Sequence, residues 1–372
     1  MSIGAIVIFV IVLAALIFVH ELGHFLAAKA FGIRVDAFKL GFGPRVFSWK
    51  RGETEYGVNW IPFGGYVKIF GEDPDGAALD PAGSDARRSF VLKARWKQAV
   101  VLSAGVLFNF IFAWLLYAGA FTAGVTASTD GFQQYASHLT DPRIMVTSVV
   151  PGSPADKAGV KAGDTVEGVI SGGVDATGKA GPVAIKDVQD AIASSDGAPL
   201  ELLTDKGAVG MTGVEGLVPG KYAIGIAMDD VAELKLPFFA AVGESFRYTL
   251  ELIKETAVGL YQFVANIFVG HPDLADVAGP VGIAGIVGNA ARMGITYLVM
   301  VTAIISVNLG VINLIPFPAL DGGRILFVAV EGAFRRRIPP RFANAVNLAG
   351  FALLMILMVA VTWKDVAQLV AG

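Results

Sequence analysis

The sequence IGAIVIFVIVLAALIFVHELGH, from Ile3 to His24, joins a long apolar run to a cluster of polar residues. A helix of roughly 20 apolar residues crosses the ~30 Å hydrocarbon core of a bilayer, so this stretch predicts a transmembrane segment. A signal peptide is the alternative, but no Lys or Arg precedes the run and no clear small-x-small cleavage site follows it. The prediction is therefore a first helix that stays in the membrane.

The composition of the chain also indicates a membrane protein. Of its 372 residues, 54% are hydrophobic and 16% are charged, whereas soluble domains have about 25% charged residues. The net charge of −3 gives no reason to expect a nucleic-acid partner. The sequence contains no cysteine, which excludes disulfides, thiolate metal ligands and a cysteine nucleophile.

Four runs have the length and apolar content of membrane spans, at about 2–25, 99–121, 296–314 and 345–363. A fifth region, 237–268, carries charged residues in its middle: Glu244, Arg247, Glu251, Lys254 and Glu255. Charges at the bilayer centre are costly, so this region predicts an amphipathic helix lying on the membrane surface. A helix packed on a soluble domain is the alternative.

Basic residues predict the orientation of the spans. Many Lys and Arg residues lie between spans one and two, and the turn between spans three and four holds Arg335, Arg336, Arg337 and Arg341. Both connections are therefore expected on the cytoplasmic side. The two termini and the region from about 121 to 295 are then expected on the opposite side.

The region 143–228 predicts an inserted α+β domain. Short β-rich runs such as 144–150 alternate with turns, and helices are expected at 155–158 and 187–194. The stretch PGSPADKAGVKAGD, residues 151–164, resembles the signature of PDZ domains. Such domains bind chain ends or extended peptides by adding a strand to a sheet edge, so peptide ends are expected partners. A small β-rich domain without a peptide ligand is the alternative.

The motif His20-Glu21-Leu22-Gly23-His24 carries the predicted chemistry. Residues four apart share one face of a helix, so the two imidazoles can reach the same ion. Zinc with three protein ligands and one open position is the expected metal, and Glu21 is placed to take a proton from the attacking water. A pair of interfacial histidines with a snorkelling glutamate is the non-functional alternative.

Asp321 is the predicted third ligand. It follows span three, which runs parallel to span one in the predicted topology, so both deliver polar residues to the same depth. His138 and His271 are expected on the far side of the membrane and are poor candidates for this site.

Four further residues near Asp321 are predicted to contact substrate: Asn308, Asn313, Pro316 and Pro318. The prolines cannot continue a helix, and unwound backbone at membrane depth is tolerated where it lines a protein site. Asn313 could hydrogen-bond a substrate backbone. Helix–helix hydrogen bonding is the alternative for both asparagines, and it is favoured for Asn308.

Taken together, these motifs resemble the site-2 protease family of intramembrane zinc metalloproteases, in particular its bacterial RseP branch. The resemblance runs nearly end to end. Beyond the motif of span one and the Asn-x-x-Pro-x-Pro-x-Leu-Asp-Gly of span three, it rests on 41–44 (GFGP), 63–68 (FGGYVK), Gly105 with Asn109, and 278–283 (AGPVGI). It implies zinc bound by His20, His24 and Asp321, with Glu21 as general base and Asn313 as a substrate contact.

The resemblance also implies an architecture and a location. The expected fold is an α-helical multi-pass membrane protein with four transmembrane helices, a membrane-associated β-hairpin at 38–70 and one inserted PDZ-like domain. The expected domains are 1–122, 123–232, 233–295 and 296–372. The RseP type from enterobacteria has two tandem PDZ domains, whereas the ~115 residues between span two and the surface helix of this chain suit only one. The location implied is the bacterial inner membrane, with the termini and the PDZ-like domain in the periplasm.

The expected reaction is hydrolysis of a peptide bond within or near the transmembrane segment of single-pass membrane proteins. Such proteins and the lipid bilayer are the expected partners, in regulated proteolysis of an anti-sigma factor or in removal of signal-peptide remnants. A non-catalytic membrane receptor that binds peptides through the PDZ-like domain is the alternative from another class. A metal-ion transporter would need more buried polar ligands than the sequence offers.

Overall fold

The computed structural model describes residues 3–72, 85–175, 183–218, 220–269 and 278–371. His271, expected above to lie far from the metal, is outside these ranges. The chain divides into two compact units: Met1–Ala120 with Phe238–Gly372, and Phe121–Pro237. The limits predicted for the PDZ-like domain, 123 and 232, lie just within the second unit.

Long helices make up most of the first unit. They are α1 (Ile3–Ala30), α2 (Arg95–Ala123), α5 (Phe238–Val269), α6 (Pro280–Met293), α7 (Ile295–Leu314), α8 (Asp321–Phe334) and α9 (Pro340–Ala371). Within the described residues, four helices are long and apolar enough to cross a membrane: Ile3–Ala30, Arg95–Ala123, Ile295–Leu314 and Pro340–Ala367. The prediction of a multi-pass membrane protein with four spans is confirmed.

The outer faces of these helices are suited to lipid. On α9, the side chains of Leu348, Ile356 and Trp363 are 69%, 67% and 76% exposed. A contiguous apolar surface of this kind is unfavourable in water and marks contact with a membrane or a partner. The inner faces pack on each other, with Phe9 and Leu16 of α1 against Val287 of α6.

Strands β1 (Val35–Arg51) and β2 (Thr54–Ile69) occupy the region where a β-hairpin was expected. Their pairing is more complex than a hairpin, because residues 37–40 pair with 65–68 on one side and with 55–58 on the other. Residues 47–51 then pair with the free side of 54–58. The two long strands therefore fold into four short segments in the order 65–68, 37–40, 55–58 and 47–51. Gly41 and Gly43, both at φ +80°, allow β1 to bend.

One end of this folded sheet is apolar and exposed, and the other is tied down by charge. The large hydrophobic side chains that are exposed on the sheet are Phe42, Val46, Phe47, Trp49, Val58, Trp60 and Ile61. At the turn after β1, Glu53 accepts a hydrogen bond of 2.6 Å from Lys29 at the end of α1 and pairs with Arg88. Hydrogen bonds from Lys29 and Arg88 lower the pKa of Glu53, and the bond from Lys29 has the larger effect. The sheet is therefore anchored next to α1.

Helix α5 corresponds to the region 237–268, which was expected to lie on the membrane surface. It packs against two spans of its own unit: Trp114 of α2 donates to the carbonyl of Val242 at 2.9 Å, and Thr256 donates to Asn308 of α7 at 3.0 Å. Glu244 is buried and paired with Arg247, which reduces the cost of its charge. These contacts differ from those of a helix that touches only the lipid surface, and the position of α5 relative to the bilayer stays a prediction.

The described part of the second unit is β-rich and has two short α-helices, α3 (Pro154–Lys157) and α4 (Ile185–Ala193), and a 3-10 helix at Asp130–His138. Its strands are β3 (Val125–Ser128), β4 (Leu139–Val149), β5 (Thr165–Ser171), β6 (Val174–Asp175), β7 (Pro199–Thr204), β8 (Gly207–Thr212), β9 (Val214–Val218), β10 (Lys221–Ala223) and β11 (Ile226–Leu234). The main sheet has the order β3-β11-β4-β5-β7-β8, with β6 beside β5, and β9 pairs with β10. The side chain of Ser153 caps α3 by accepting from the amide of Asp156 at 3.3 Å.

A buried carboxylate holds the last spanning helix to its neighbour. Asp365 of α9 is 6% exposed, and its Oδ2 accepts a 2.7 Å hydrogen bond from the amide of Gly282 in the first turn of α6. A Cβ on Gly279 would lie 2.7 Å from the same oxygen, which explains a glycine at this position in the AGPVGI stretch. The carboxylate thus satisfies an N-terminal amide that the helix itself leaves unpaired.

Replacing Asp365 with Ala is expected to destabilise the protein by about 1–3 kcal/mol, because a partly buried amide of α6 loses its acceptor. Asp365→Asn keeps an oxygen at the same place and is expected to retain most of the stability. The measurement is the melting temperature of each purified variant in detergent. Equal melting temperatures for Asp365→Ala and the wild type would show that this contact does not contribute to the stability of the protein.

Candidate metal centre

Three side chains converge between α1 and α8. His20 and His24 lie one helical turn apart on α1, and Asp321 is the first residue of α8. The Nε2 atoms of His20 and His24 lie 3.0 and 3.3 Å from Oδ2 of Asp321, and 3.2 Å from each other. Tetrahedral bonds of 2.0–2.1 Å to zinc place the ligand atoms about 3.3 Å apart. The triangle of donor atoms therefore has the size that a zinc ion requires.

Helix α2 fixes the orientation of the His24 imidazole. Nδ1 of His24 lies 2.8 Å from the carbonyl oxygen of Val101. A carbonyl oxygen only accepts, so Nδ1 carries the proton and Nε2 keeps its lone pair for a metal.

Asn109, also on α2, contacts the His20 imidazole. Its side-chain amide lies 3.1 Å from Nδ1 of His20, while its Oδ1 is buried without a hydrogen-bond partner among the described residues. The nitrogen and oxygen of an amide have nearly the same shape, and exchanging them gives Oδ1 a donor in Nδ1–H of His20. In this arrangement both imidazoles donate from Nδ1, and the lone pair of each Nε2 is available for a metal, as in zinc sites.

Two glycines bring α1 and α2 into close contact at this level. A Cβ on Gly23 would lie 2.4 Å from the carbonyl oxygen of Ala104, and a Cβ on Gly105 would lie 2.3 Å from Nε2 of His24. Any larger residue at Gly105 would occupy the space of the imidazoles. The contact between the two backbones is therefore a condition for the geometry of the donors.

The segment 315–320 between α7 and α8 delivers Asp321. Helix α7 ends at Leu314, and Ala319 adopts φ +74°, an unusual conformation for a residue with a Cβ. The backbone then turns so tightly that a Cβ on Gly322 would lie 2.1 Å from the carbonyl oxygen of Ile315. The chain therefore leaves the spanning direction and starts α8 with the Asp321 carboxylate next to the histidines of α1.

Two ion pairs hold α8 in place. Arg324, one turn after Asp321, pairs with Glu72 beyond the end of β2. Glu331 pairs with Arg95 of α2 at 2.6 Å, and Val328 between them packs in the cluster that includes Val101. The helix that supplies the third donor is thus connected to both the sheet and α2.

Glu21 lies on the side of α1 that faces the sheet. Its Cγ is 3.4 Å from the place where a Cβ on Gly65 of β2 would be. Among the described residues, its carboxylate forms no hydrogen bond. An acceptor next to the three donors and without a partner of its own has the position of a general base.

The structure places the other predicted site residues as follows. Asn308 is bonded to Thr256, which is the helix–helix alternative, and a substrate contact by Asn308 stays a prediction. Asn313 is half-buried and makes no hydrogen bond within the described chain, and Pro316 is exposed. Pro318 packs against the position of Gly350 in α9.

Asn109 and Val101 were not predicted to be neighbours of His20 and His24. Asn109 is fully buried in a candidate span, and its backbone oxygen accepts from Ser306 of α7 at 2.8 Å. Gly105 and Asn109 were noted only as part of a family motif. A polar residue within an apolar span was the available signal, whereas the contact of Val101 through its backbone carbonyl leaves no signal in the side-chain pattern.

Comparison with known proteins identifies the class. The family model described as Peptidase family M50 matches residues 8–357, and the chain belongs to this family, that of the site-2 proteases. A "putative zinc metalloprotease" of Clostridium perfringens is 36% identical over 95% of this chain and 96% of its own length. A protein of the same description from Synechocystis is 35% identical, over 96% and 93%. The "zinc metalloprotease RasP" of Shouchella clausii is 28% identical, over 97% and 98%.

The chain is therefore a zinc metalloendopeptidase of the membrane, and zinc is its cofactor. The donor set found between α1 and α8 fits this metal. The alternatives of a non-catalytic receptor and a metal-ion transporter are set aside on this finding.

Gly105→Ala is expected to lower the affinity for zinc by about 10-fold to 100-fold, because the added methyl displaces imidazoles that α2 otherwise orients. Gly119→Ala, on the same helix with open space around it, is the matched control and should bind zinc normally. The measurement is zinc bound per chain, determined by elemental analysis after dialysis against graded free zinc. Equal zinc content in the two variants would contradict the role assigned to Gly105.

Proposed function

We propose that the enzyme cleaves a peptide bond within or near the transmembrane segment of single-pass membrane proteins. The observation that supports this best is the depth of the donors: His20 lies 17 residues after Ile3 on a spanning helix, about 26 Å along its axis. A site at this depth is reached most directly by a substrate that is itself in the bilayer. Unwound backbone at 315–320, beside Asp321, gives such a substrate a polar surface.

The chain's own residues divide the work. His20, His24 and Asp321 hold the ion, which when bound polarises the scissile carbonyl and makes water a better nucleophile. Glu21 accepts the proton of the attacking water and passes it to the leaving amine. Asn313 and Pro316 lie where they can contact the extended substrate, with Asn313 donating to a backbone carbonyl.

Glu21→Gln is expected to keep zinc and lose cleavage by a factor of about 10² or more, because the amide cannot accept a proton. Zinc content and hydrolysis of a transmembrane peptide are measured on the same purified sample. Full activity in this variant would contradict the role of Glu21 as the general base. Membrane fragments that accumulate in cells carrying it identify the substrates, for which an anti-sigma factor and signal-peptide remnants are the proposed classes.

The edge of the folded sheet offers a place for the unwound substrate. A transmembrane helix hides its carbonyls in its own hydrogen bonds, so it must be extended before water can attack. Residues 65–68 form an edge without a strand partner in the described chain, and Gly65 of this edge lies beside Glu21. An extended substrate that adds to this edge gains backbone hydrogen bonds next to the base.

Disulfide trapping tests this edge, since the protein has no native cysteine. In the Glu21→Gln background, Lys68→Cys is expected to cross-link to a cysteine near the scissile bond of the substrate. Lys50→Cys, exposed on the opposite edge of the same sheet, is the control and should give no cross-link. Equal cross-linking from both positions would show that the substrate does not choose the 65–68 edge.

The second unit is proposed to be a PDZ-like domain that binds peptide ends outside the membrane. Strand β11 pairs with β4 along 226–234, whereas β3 covers its other side only at 231–234. The start of β11 therefore keeps one edge without a strand partner in the described residues, and strand addition there is the PDZ mode of binding. The charge distribution supports a periplasmic position for this unit and for both termini, in a bacterial inner membrane with the metal toward the cytoplasm.

A further inference from the structure

A short turn between α8 and α9 concentrates positive charge. Arg335 ends α8 in the left-handed conformation, at φ +52°, and α9 begins at Pro340. Arg336 and Arg337 follow in the turn, and Arg341 lies in the first turn of α9; all four arginines are exposed. Within the described chain, none of the four guanidinium groups forms an ion pair or a side-chain hydrogen bond.

The nearest acidic residue of α8 is already engaged. Glu331 pairs with Arg95 of α2 at 2.6 Å and also accepts from the amide of Ile338 at 2.8 Å. It therefore does not neutralise the arginines that follow it. Four positive charges within seven residues repel each other, and an external anion reduces that repulsion.

Aromatic side chains locate this turn at the membrane boundary. Phe334, the last residue of α8, is 73% exposed, and Phe342, in the first turn of α9, is 58% exposed. The apolar run of α9 begins at about residue 345, so the first turn of this spanning helix lies just before the chain enters the hydrocarbon. The arginines are then at the level of the lipid headgroups, with apolar rings on either side.

We propose that Arg335, Arg336, Arg337 and Arg341 form a binding site for the headgroups of anionic phospholipids. A guanidinium group matches a phosphate with two parallel hydrogen bonds, and it remains charged at every physiological pH. Clusters of basic residues next to a spanning helix are attracted to anionic lipid, by on the order of fivefold in binding for each arginine. The two phenylalanines add apolar contact with the acyl chains next to the headgroup.

This site is connected to the metal centre by a single helix. Helix α8 begins at the ligand Asp321 and ends at the arginines, 14 residues or about 21 Å apart. Lipid bound at one end steadies the helix whose other end supplies the third donor. Resting on the proposed function, this predicts faster cleavage in bilayers that contain anionic lipid than in neutral ones.

Lipid binding is measured first, without cleavage, on the full chain carrying Glu21→Gln. The purified protein is titrated with dioctanoyl phosphatidylglycerol or dioctanoyl phosphatidylcholine, and retained lipid is counted by native mass spectrometry. The parent protein is expected to prefer the anionic lipid. Changing the four arginines to Gln should reduce the apparent affinity for phosphatidylglycerol at least about tenfold and leave phosphatidylcholine unaffected.

The control removes the same charge elsewhere. Lys157, Lys161, Lys186 and Lys221, all exposed in the second unit, are changed to Gln together and should leave lipid retention unchanged. Equal retention by the arginine variant and this control overturns the proposal. If the fourfold arginine variant loses its zinc or melts early, the pair R336Q/R337Q replaces it, with an intermediate loss expected and an unchanged affinity again overturning the site.

The failures of the two proposals are distinguishable. A preference for anionic lipid that is present in the parent protein and lost in the arginine variant supports the lipid site, whatever the outcome of the cleavage assay. Normal lipid preference in an enzyme that cleaves no transmembrane peptide contradicts the proposed function and leaves the lipid site standing. An enzyme that cleaves, but whose Glu21→Gln form with all four arginines intact retains both lipids equally, contradicts the lipid site alone.

Discussion

The close packing of α1 on α2 is the contact on which the rest of the structure depends. Two imidazoles at the end of an apolar helix are costly to bury unless each ring nitrogen has a partner. Gly23 and Gly105 let the two backbones approach each other. As a result, Nδ1 of His24 is hydrogen-bonded to the carbonyl of Val101, and Nδ1 of His20 to the side chain of Asn109. The Nε2 atoms of both imidazoles then point to the same place. The hydrogen bonds at Nδ1 offset the cost of burying the two rings and fix their orientation.

The third donor, Asp321, is positioned by ion pairs of its own helix rather than by close packing of two backbones. Asp321 follows a span broken at 315–320, and the helix that it starts is held by ion pairs of Arg324 with Glu72 and of Glu331 with Arg95. Charges that are partly withdrawn from water interact more strongly than exposed ones. Helix α8 is thereby fixed against both the sheet and α2, and the distance between its carboxylate and the imidazoles is set by several elements together.

The folded sheet gives the enzyme a surface that a bundle of spanning helices lacks. A helix satisfies all its backbone groups internally, so a bundle offers no edge to an unwound chain. Bending at Gly41 and Gly43 lets residues 37–40 pair on both sides, which moves the open edge to 65–68, beside Glu21. In the proposed reaction, this edge and the acceptor of the proton belong to adjacent parts of one surface.

The sequence by itself determined the four spans and the position of His20 and His24 on one face of a helix, because apolar length and helical spacing are local properties. It also predicted that Asp321 meets the two histidines, because spans one and three run parallel in the predicted topology. Only the tertiary structure decided the contacts of Val101 and Asn109, the double pairing of 37–40, and the packing of α5 on two spans through Thr256 and Asn308. These depend on which residues distant in the chain become neighbours. A contact through a backbone carbonyl, or a bend in a strand, cannot be recognised from the pattern of side chains in the sequence. A polar residue within a span gives the same sequence signal whether it contacts one of the histidines or another helix.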